Sequence, residues 1–348
     1  MASTESRTPG IRPSYYVHEL SDGTKVGFYA AGHGVPLVFF HGMGSSCMPY
    51  VDIFARLTCF GFMVVGIDAA GCGRTDPMDR SAAIDLKSHV DLLDQAIREL
   101  GIRKAVFVGH SWGGRMAAEL AAADTDRAIA AVLLDAAVGG VFDDIALRNR
   151  QNGQPERQAD GFLRTARRTA NELIPPNPFD LWRTSRLAWP SVMGAWRTPS
   201  LMVDFSRALA AAPPSSTWID RLRGAGVPVV SVHGDGDVAV PLSSALDIAR
   251  RTNGTLVQVR DAGHSWMIPD PSTLLAIVYD LLRDGDLGLA CRQAVEAAGL
   301  SSSASREEVG ARLCTADAPI LSVLSSSGRA GGWYTPKARR LFAMGKVA

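Results

Sequence analysis

Lys104 to Ala123 reads KAVFVGHSWGGRMAAELAAA, and the fold is decided in this stretch. It opens on a short apolar run, Lys104 to Val108, rich in Val and bounded by Gly109. That is the pattern of a strand buried on both faces. From Trp112 onward it is Ala-rich and favours helix. Between the two lies Gly109-His110-Ser111-Trp112-Gly113, a G-x-S-x-G motif. In isolation such a motif arises by chance in on the order of one chain in four, so its context must carry the weight. A tight strand-to-helix turn needs glycine on both flanks, because larger side chains would clash. Such a turn lifts the serine oxygen above the sheet edge, at the N-terminus of a helix.

Other runs of the same kind lie on either side. Val35 to His41, Phe62 to Asp68, Ile129 to Leu134, Pro228 to Val232 and Thr255 to Val259 are short, apolar, and closed by Gly, Asp or His. Helical patterns separate them. Leu86, Val90, Leu93, Ile97 and Leu100 repeat at spacings of four and three, and Gly101 stops that helix. Pro241 to Arg251 and Pro271 to Leu282 each open on a proline suited to a first helical turn. Strands alternating with helices imply a mostly parallel sheet covered on both faces. Asp22-Gly23, between Tyr15 to Leu20 and Lys25 to Ala30, signals a hairpin and so an antiparallel edge.

The alternation breaks after Asp135. From about Gly139 to Gly226 no strong strand signal occurs, and so long a segment is not expected to be structureless. It carries Trp182, Trp189, Trp196 and Trp218, several prolines, and Arg164, Arg167 and Arg168. We expect short helices here, with the tryptophans packing a core or lining an apolar pocket and the arginines solvated. After Asp284 the chain becomes Ser-rich and ends basic, with Arg329, Lys337, Arg339, Arg340 and Lys346. Charge alone gives a solvated or disordered tail, with contact to a partner or an anionic surface as the alternative, while Ala290 to Ala298 reads as helix.

Composition narrows the function classes. The net charge of +1 over 348 residues shows no global excess for nucleic acid or anionic membrane. No apolar run approaches the ~20 residues that span a bilayer, and Met1 to Ser14 lacks a signal peptide's apolar core. The five scattered cysteines fit reduced thiols, hence a cytoplasmic location, and show no metal-site spacing. The G-x-G stretches lack the third glycine of a dinucleotide fingerprint.

A serine hydroxyl becomes a useful nucleophile only when a base takes its proton, and that base needs a third group to orient it. Asp237 follows the run ending at Val232, and His264 follows the run ending at Val259. Serine, acid, histidine, in that order and past the C-terminal ends of strands, matches one known triad arrangement. Asp235 and Asp135 stay open as alternatives to Asp237. His41-Gly42-Met43-Gly44 follows the first parallel strand, so the Met43 and Trp112 N–H groups are the expected oxyanion donors. His41, His110 and His233 are expected to shape loops, and His89 to be a surface or helix residue.

These features in this order resemble the α/β-hydrolase family. The resemblance covers about Tyr15 to Asp284, apart from the divergent segment, which lies where family members carry a cap. It implies an α/β-hydrolase fold: a mostly parallel, doubly wound sheet with an inserted helical cap. The implied layout is a flexible 1–14, a core of 15–138 and 227–284, a cap of 139–226, and a partly helical 285–348 with a basic tail. The implied activity is carboxylic-ester hydrolysis through an acyl-enzyme on a small or medium hydrophobic substrate, with no cofactor or metal. C–C bond, lactone or amide hydrolysis suits the same triad, and a non-catalytic small-molecule binder of the same fold is a further alternative. Members with Asp in place of Ser111 open epoxides or remove halide, and Ser111 argues against both. Trp112 and the Gly113-Gly114 pair also resemble proline iminopeptidases, but His41-Gly-Met-Gly departs from their H-G-G-P-G loop. A small-molecule substrate is the expected partner, with no nucleic acid and no integral membrane association. The oligomeric state is unassigned.

Overall fold

The computed structural model describes residues 10–78, 85–151, 201–325 and 337–347. The Asp22-Gly23 hairpin joins β1 (Ser14–Glu19) to β2 (Lys25–Ala31), antiparallel and in register from Ser14–Ala30 to Glu19–Lys25. The apolar runs become β3 (Val35–Phe40), β4 (Phe62–Ile67), β5 (Ala105–His110), β6 (Ala128–Leu134), β7 (Val229–Gly234) and β8 (Thr255–Val259). From β3 to β7 nearly every residue is buried, because helices cover both faces. The strand order is β1-β2-β4-β3-β5-β6-β7-β8-β9, where β9 is Phe342–Lys346. The core from β4 to β8 is parallel, and β1, β2 and β9 provide antiparallel edges. This is the expected doubly wound sheet.

Two apolar layers sandwich it. On one face lie α2 (Leu86–Glu99) and α3 (Trp112–Ala123), with Leu93, Ile97, Met116 and Leu120 against Phe40, Phe107 and Leu133. On the other lie α1 (Val51–Leu57) and α8 (Pro271–Arg283), with Phe54, Leu274 and Leu281 against Phe39, Val106 and Val257. Asp85 caps α2 by accepting from Ser88 N–H (2.8 Å), and Asp270 caps α8 through Thr273 N–H (3.2 Å). The helix expected from Pro241 runs Leu242–Thr252 (α7), with Pro241 one position earlier as its extended N-cap.

Most of the expected cap, residues 152–200, lies outside the described residues, together with Trp182, Trp189, Trp196 and the three arginines. Its described flanks are helical: α4 (Gly140–Gln151), α5 (Leu201–Ala211) and α6 (Ser216–Gly224). Phe205 of α5 and Ile219 and Leu222 of α6 are buried in the α2–α3 layer.

The described part of the C-terminal tail is mostly exposed, as its charge suggests, but it is also an ordered strand. After α9 (Asp286–Ala297), α10 (Arg306–Leu313) and α11 (Pro319–Ser325), the chain returns to pair Phe342–Lys346 antiparallel with β8, in register from Val259–Phe342 to Thr255–Lys346. The edge of β8 offers unmet backbone groups, and the tail meets them. Two of its cations are placed as well: Lys346 Nζ reaches Asp286 and the Asn253 carbonyl, and Arg340 reaches the Asp261 carbonyl. Among the described residues, no helix is long and apolar enough to cross a membrane.

Candidate active site

Ser111 sits between β5 and α3 at φ 56° and ψ −119°, in the positive-φ region that strains a non-glycine residue. The turn holds because the flanking glycines allow backbone contact. A Cβ on Gly109 would collide with the Gly113 carbonyl, and one on Gly113 with the Phe40 carbonyl at the end of β3. The elbow is tied down further by Ser111 N–H to the Leu134 carbonyl (2.9 Å) and Ala137 N–H to the Ser111 carbonyl (3.0 Å).

The loops after β7 and β8 bring two more groups to it. His264 Nε2 lies 2.8 Å from Ser111 Oγ, and its Nδ1 lies 2.8 Å from Asp237 Oδ2. An ionised carboxylate only accepts, so Nδ1 carries the proton and Nε2 is free to receive one from the hydroxyl. Asp237 Oδ1 accepts from Ala239 N–H (2.7 Å) and Val240 N–H (3.0 Å). Burial alone would raise the Asp237 carboxyl; hydrogen bonding to His264, its charge and the Val240 N–H bring it below the usual carboxylate value. Asp235 does not join this group. It accepts from Asp261 N–H (2.8 Å) and organises the turn. Asp135 does approach: its Oδ1 accepts from Gly234 N–H (2.8 Å) and its Oδ2 from Trp266 Nε1–H (2.9 Å). Asp135 is fully buried. Asp135, His233 and Asp237 each present an atom within 4.8 Å of the others, the composition of a cation site. Their polar atoms already face backbone N–H groups, the Trp266 indole, His264 and the Val240 carbonyl, so the set is built for hydrogen bonding.

The expected oxyanion donors lie on the residue after the serine and on the loop after β3. Trp112 N–H opens α3, where the first N–H groups have no intrahelical acceptor. Met43 N–H has no acceptor among the described residues. Its loop is set by two histidines. His41 Nε2 accepts from Ala69 N–H (2.9 Å), so its Nδ1–H donates to the Gly42 carbonyl (2.8 Å). His110 Nε2–H donates to the His264 carbonyl (2.8 Å), so its Nδ1 accepts from the Tyr50 hydroxyl (2.7 Å). Tyr50 in turn receives Gly42 N–H at 3.4 Å. Burial keeps both histidines neutral, that of His110 lowered to about 3. His41 and His110 thus shape loops, as expected. His89 is a helix residue, as one of the two expectations had it, and is buried in α2 against Trp112 and Phe205.

Sequence reasoning missed Arg115. On α3, one turn after Ser111, it is buried and pairs with Glu119. It also holds Asp143 of α4 (3.2 Å) and the Pro213 carbonyl (2.6 Å), while Asp143 accepts from the Ser215 N–H and hydroxyl (2.7 Å each). Both ends of the inserted segment are thereby fastened to the nucleophile's helix. The available signal was an arginine with Glu four residues on, inside an otherwise apolar helix. Tyr50 and the Tyr15–Asp68 pair (2.6 Å) carried no sequence signal, since their partners are distant in the chain.

A family model described as alpha/beta hydrolase fold matches residues 35–271. A protein of Mycobacterium phage D29, named as a non-heme haloperoxidase, is 32% identical over 80% of this chain and 98% of its own length. A bifunctional esterase/perhydrolase of Acinetobacter calcoaceticus is 24% identical over 69% of this chain and 88% of its own. Among solved structures, esterase RhEst1 from Rhodococcus sp. ECU1013 superposes with a TM-score of 0.61 at 20% identity. That match covers 78% of this chain and 99% of the esterase.

Proposed function

This chain is an enzyme of the α/β-hydrolase family, and we propose that it cleaves carboxylic esters through an acyl-enzyme on Ser111. The reading rests on one observation above all: His264 lies 2.8 Å from both Ser111 Oγ and Asp237 Oδ2, on opposite ring nitrogens. Ser111 attacks the ester carbonyl while His264 takes its proton. Asp237 orients the ring and stabilises the imidazolium. The oxyanion rests on the Met43 and Trp112 N–H groups. His264 then protonates the leaving alcohol, and a water activated by the same ring releases the acid. Residues 139–226 act as a cap, fastened by Arg115, that selects a small or medium hydrophobic acyl group. The five free thiols fit a cytoplasmic enzyme.

The names of the relatives favour a second use of the same intermediate. Hydrogen peroxide attacking the acyl-enzyme in place of water would release a peracid and regenerate the Ser111 hydroxyl. One experiment tests both readings: p-nitrophenyl esters of rising chain length, with and without peroxide, on purified wild type and Ser111→Ala. We expect turnover in the wild type only. Full turnover by Ser111→Ala would sink the proposal, and peracid formed only by the wild type would support the second use.

A further inference from the structure

Parallel strands β6 and β7 end side by side, and each delivers a carboxyl to the same buried spot. Asp135 is the first residue past β6, held at φ 44° with its N–H on the Val232 carbonyl (2.9 Å). Asp237 is three residues past β7. An oxygen of each lies within the 4.8 Å cluster. Two like charges at that range, shielded from water, do not both ionise.

The surroundings decide which one keeps the charge. Asp237 faces three donors, namely Ala239 N–H, Val240 N–H and His264 Nδ1–H, and His264 becomes cationic during turnover. Asp135 has two neutral donors, Gly234 N–H and the Trp266 indole. The other titratable groups nearby bring no cation to Asp135. His233 Nε2–H donates to the Val240 carbonyl (2.9 Å), its Nδ1 lies 3.9 Å from Asp135, and burial holds it neutral. His110, with its ring 5.0 Å from that of His264, is likewise neutral.

We propose that Asp135 and Asp237 form one acid pair in which Asp135 keeps a proton and donates it as a hydrogen bond to ionised Asp237. This rests on the triad reading of Asp237. Asp135 is a positioning residue: its O–H makes Asp237 a weaker base, so the proton on His264 stays there, and it fixes the carboxylate's orientation. The net charge beside the imidazolium is then minus one. Burial and the Asp237 charge both push the Asp135 carboxyl well above its usual value, in keeping with this.

The test combines infrared spectroscopy with kinetics on the intact enzyme. At neutral pH the wild type should show the carbonyl stretch of a neutral carboxylic acid, and Asp135→Asn should lose it. Asparagine can donate to Asp237 as the protonated acid does, so its kcat/KM on p-nitrophenyl acetate should stay within about tenfold of wild type. It meets only one of the two N–H donors, so its Tm should fall. Asp135→Ala, which cannot donate, should move the acid limb of the kcat/KM profile to higher pH, and Asn should restore it. The proposal is overturned if the band survives in Asp135→Asn, or if that variant loses as much activity as Asp237→Asn, about 10⁴-fold. Should Asp135→Ala fail to fold, the band and the Asn kinetics decide alone. A failure of the triad reading would show separately, as undiminished turnover in Ser111→Ala with the band unchanged.

Discussion

The parallel strands begin and end in very different surroundings. Past the C-terminal ends of β5, β6 and β8 the chain turns through Ser111, Asp135 and Asp261, at φ of 56°, 44° and 53°. Buried carboxyl, imidazole and hydroxyl groups crowd there. At the N-terminal ends one connection also turns through positive φ, at Asn253 (51°), an asparagine that tolerates the left-handed region as a helix C-cap. Arg103 and Lys104 N–H donate to the Leu313 carbonyl (3.0 and 3.1 Å), and Arg306 caps the Thr58 and Cys59 carbonyls (3.1 and 3.0 Å). The extension passes beneath this end, burying Leu313 against one face of the sheet and Ile320 against the other. Strain and buried polarity, both destabilising, are concentrated at one end and persist because neighbours over-determine them. Apolar burial by the extension stabilises the other. Substitutions at the two ends should therefore separate activity from stability.

The largest effect expected is at Ser111. Ser111→Ala should lower kcat by about 10⁶ with little change in Tm, measured by ester hydrolysis and thermal melting. Asp237→Asn follows, at about 10⁴, again with the fold intact by circular dichroism. Equal losses of Tm and turnover in either variant would collapse the distinction between the ends. Arg115→Met tests the border between them. It strands Glu119 and Asp143 without their cation, so a loss of about 3–5 kcal/mol in stability is expected. If the clasp also sets the cap, KM should rise more for long-chain than for acetyl esters.

At the opposite end, Ile320→Ala should cost about 2–5 kcal/mol by denaturant titration and leave kcat unchanged. The smallest effect concerns pH. His110 has a folded value lowered to about 3 by burial, against an ordinary value of about 6.5. Between those values the unfolded chain binds a proton that the native one does not, so His110 makes stability fall as pH drops below about 6.5. Asp68 and Asp135 are raised by burial and act in the opposite sense. Comparing the Tm of wild type and His110→Gln at pH 7 and 5 isolates the histidine, and the variant should show the shallower fall.

Much of this was legible in the chain because the signals are local. The buried strands announced themselves as short Val- and Ile-rich runs, and Ser111 by glycines whose need is purely steric. Asp237 and His264 were legible by their place just past such runs. The tail's strand was not legible, because its charge reads the same whether its backbone is free or paired. Only a free edge on β8, supplied by the tertiary structure, distinguishes the two. Arg115 was visible only as an oddity on an apolar helix.

The sequence by itself determined the sheet apart from β9, its strand ends and the residue types delivered there, since strand period, turn sterics and chain order are properties of neighbours in the chain. The tertiary structure decided which of these residues meet. It turned the opposite nitrogens of His264 to Ser111 and Asp237, set Asp235 aside to a turn, and brought Asp135 against Asp237 from a strand about a hundred residues earlier. Distances of a few ångströms between side chains so far apart in sequence are set by packing, and no local pattern encodes them.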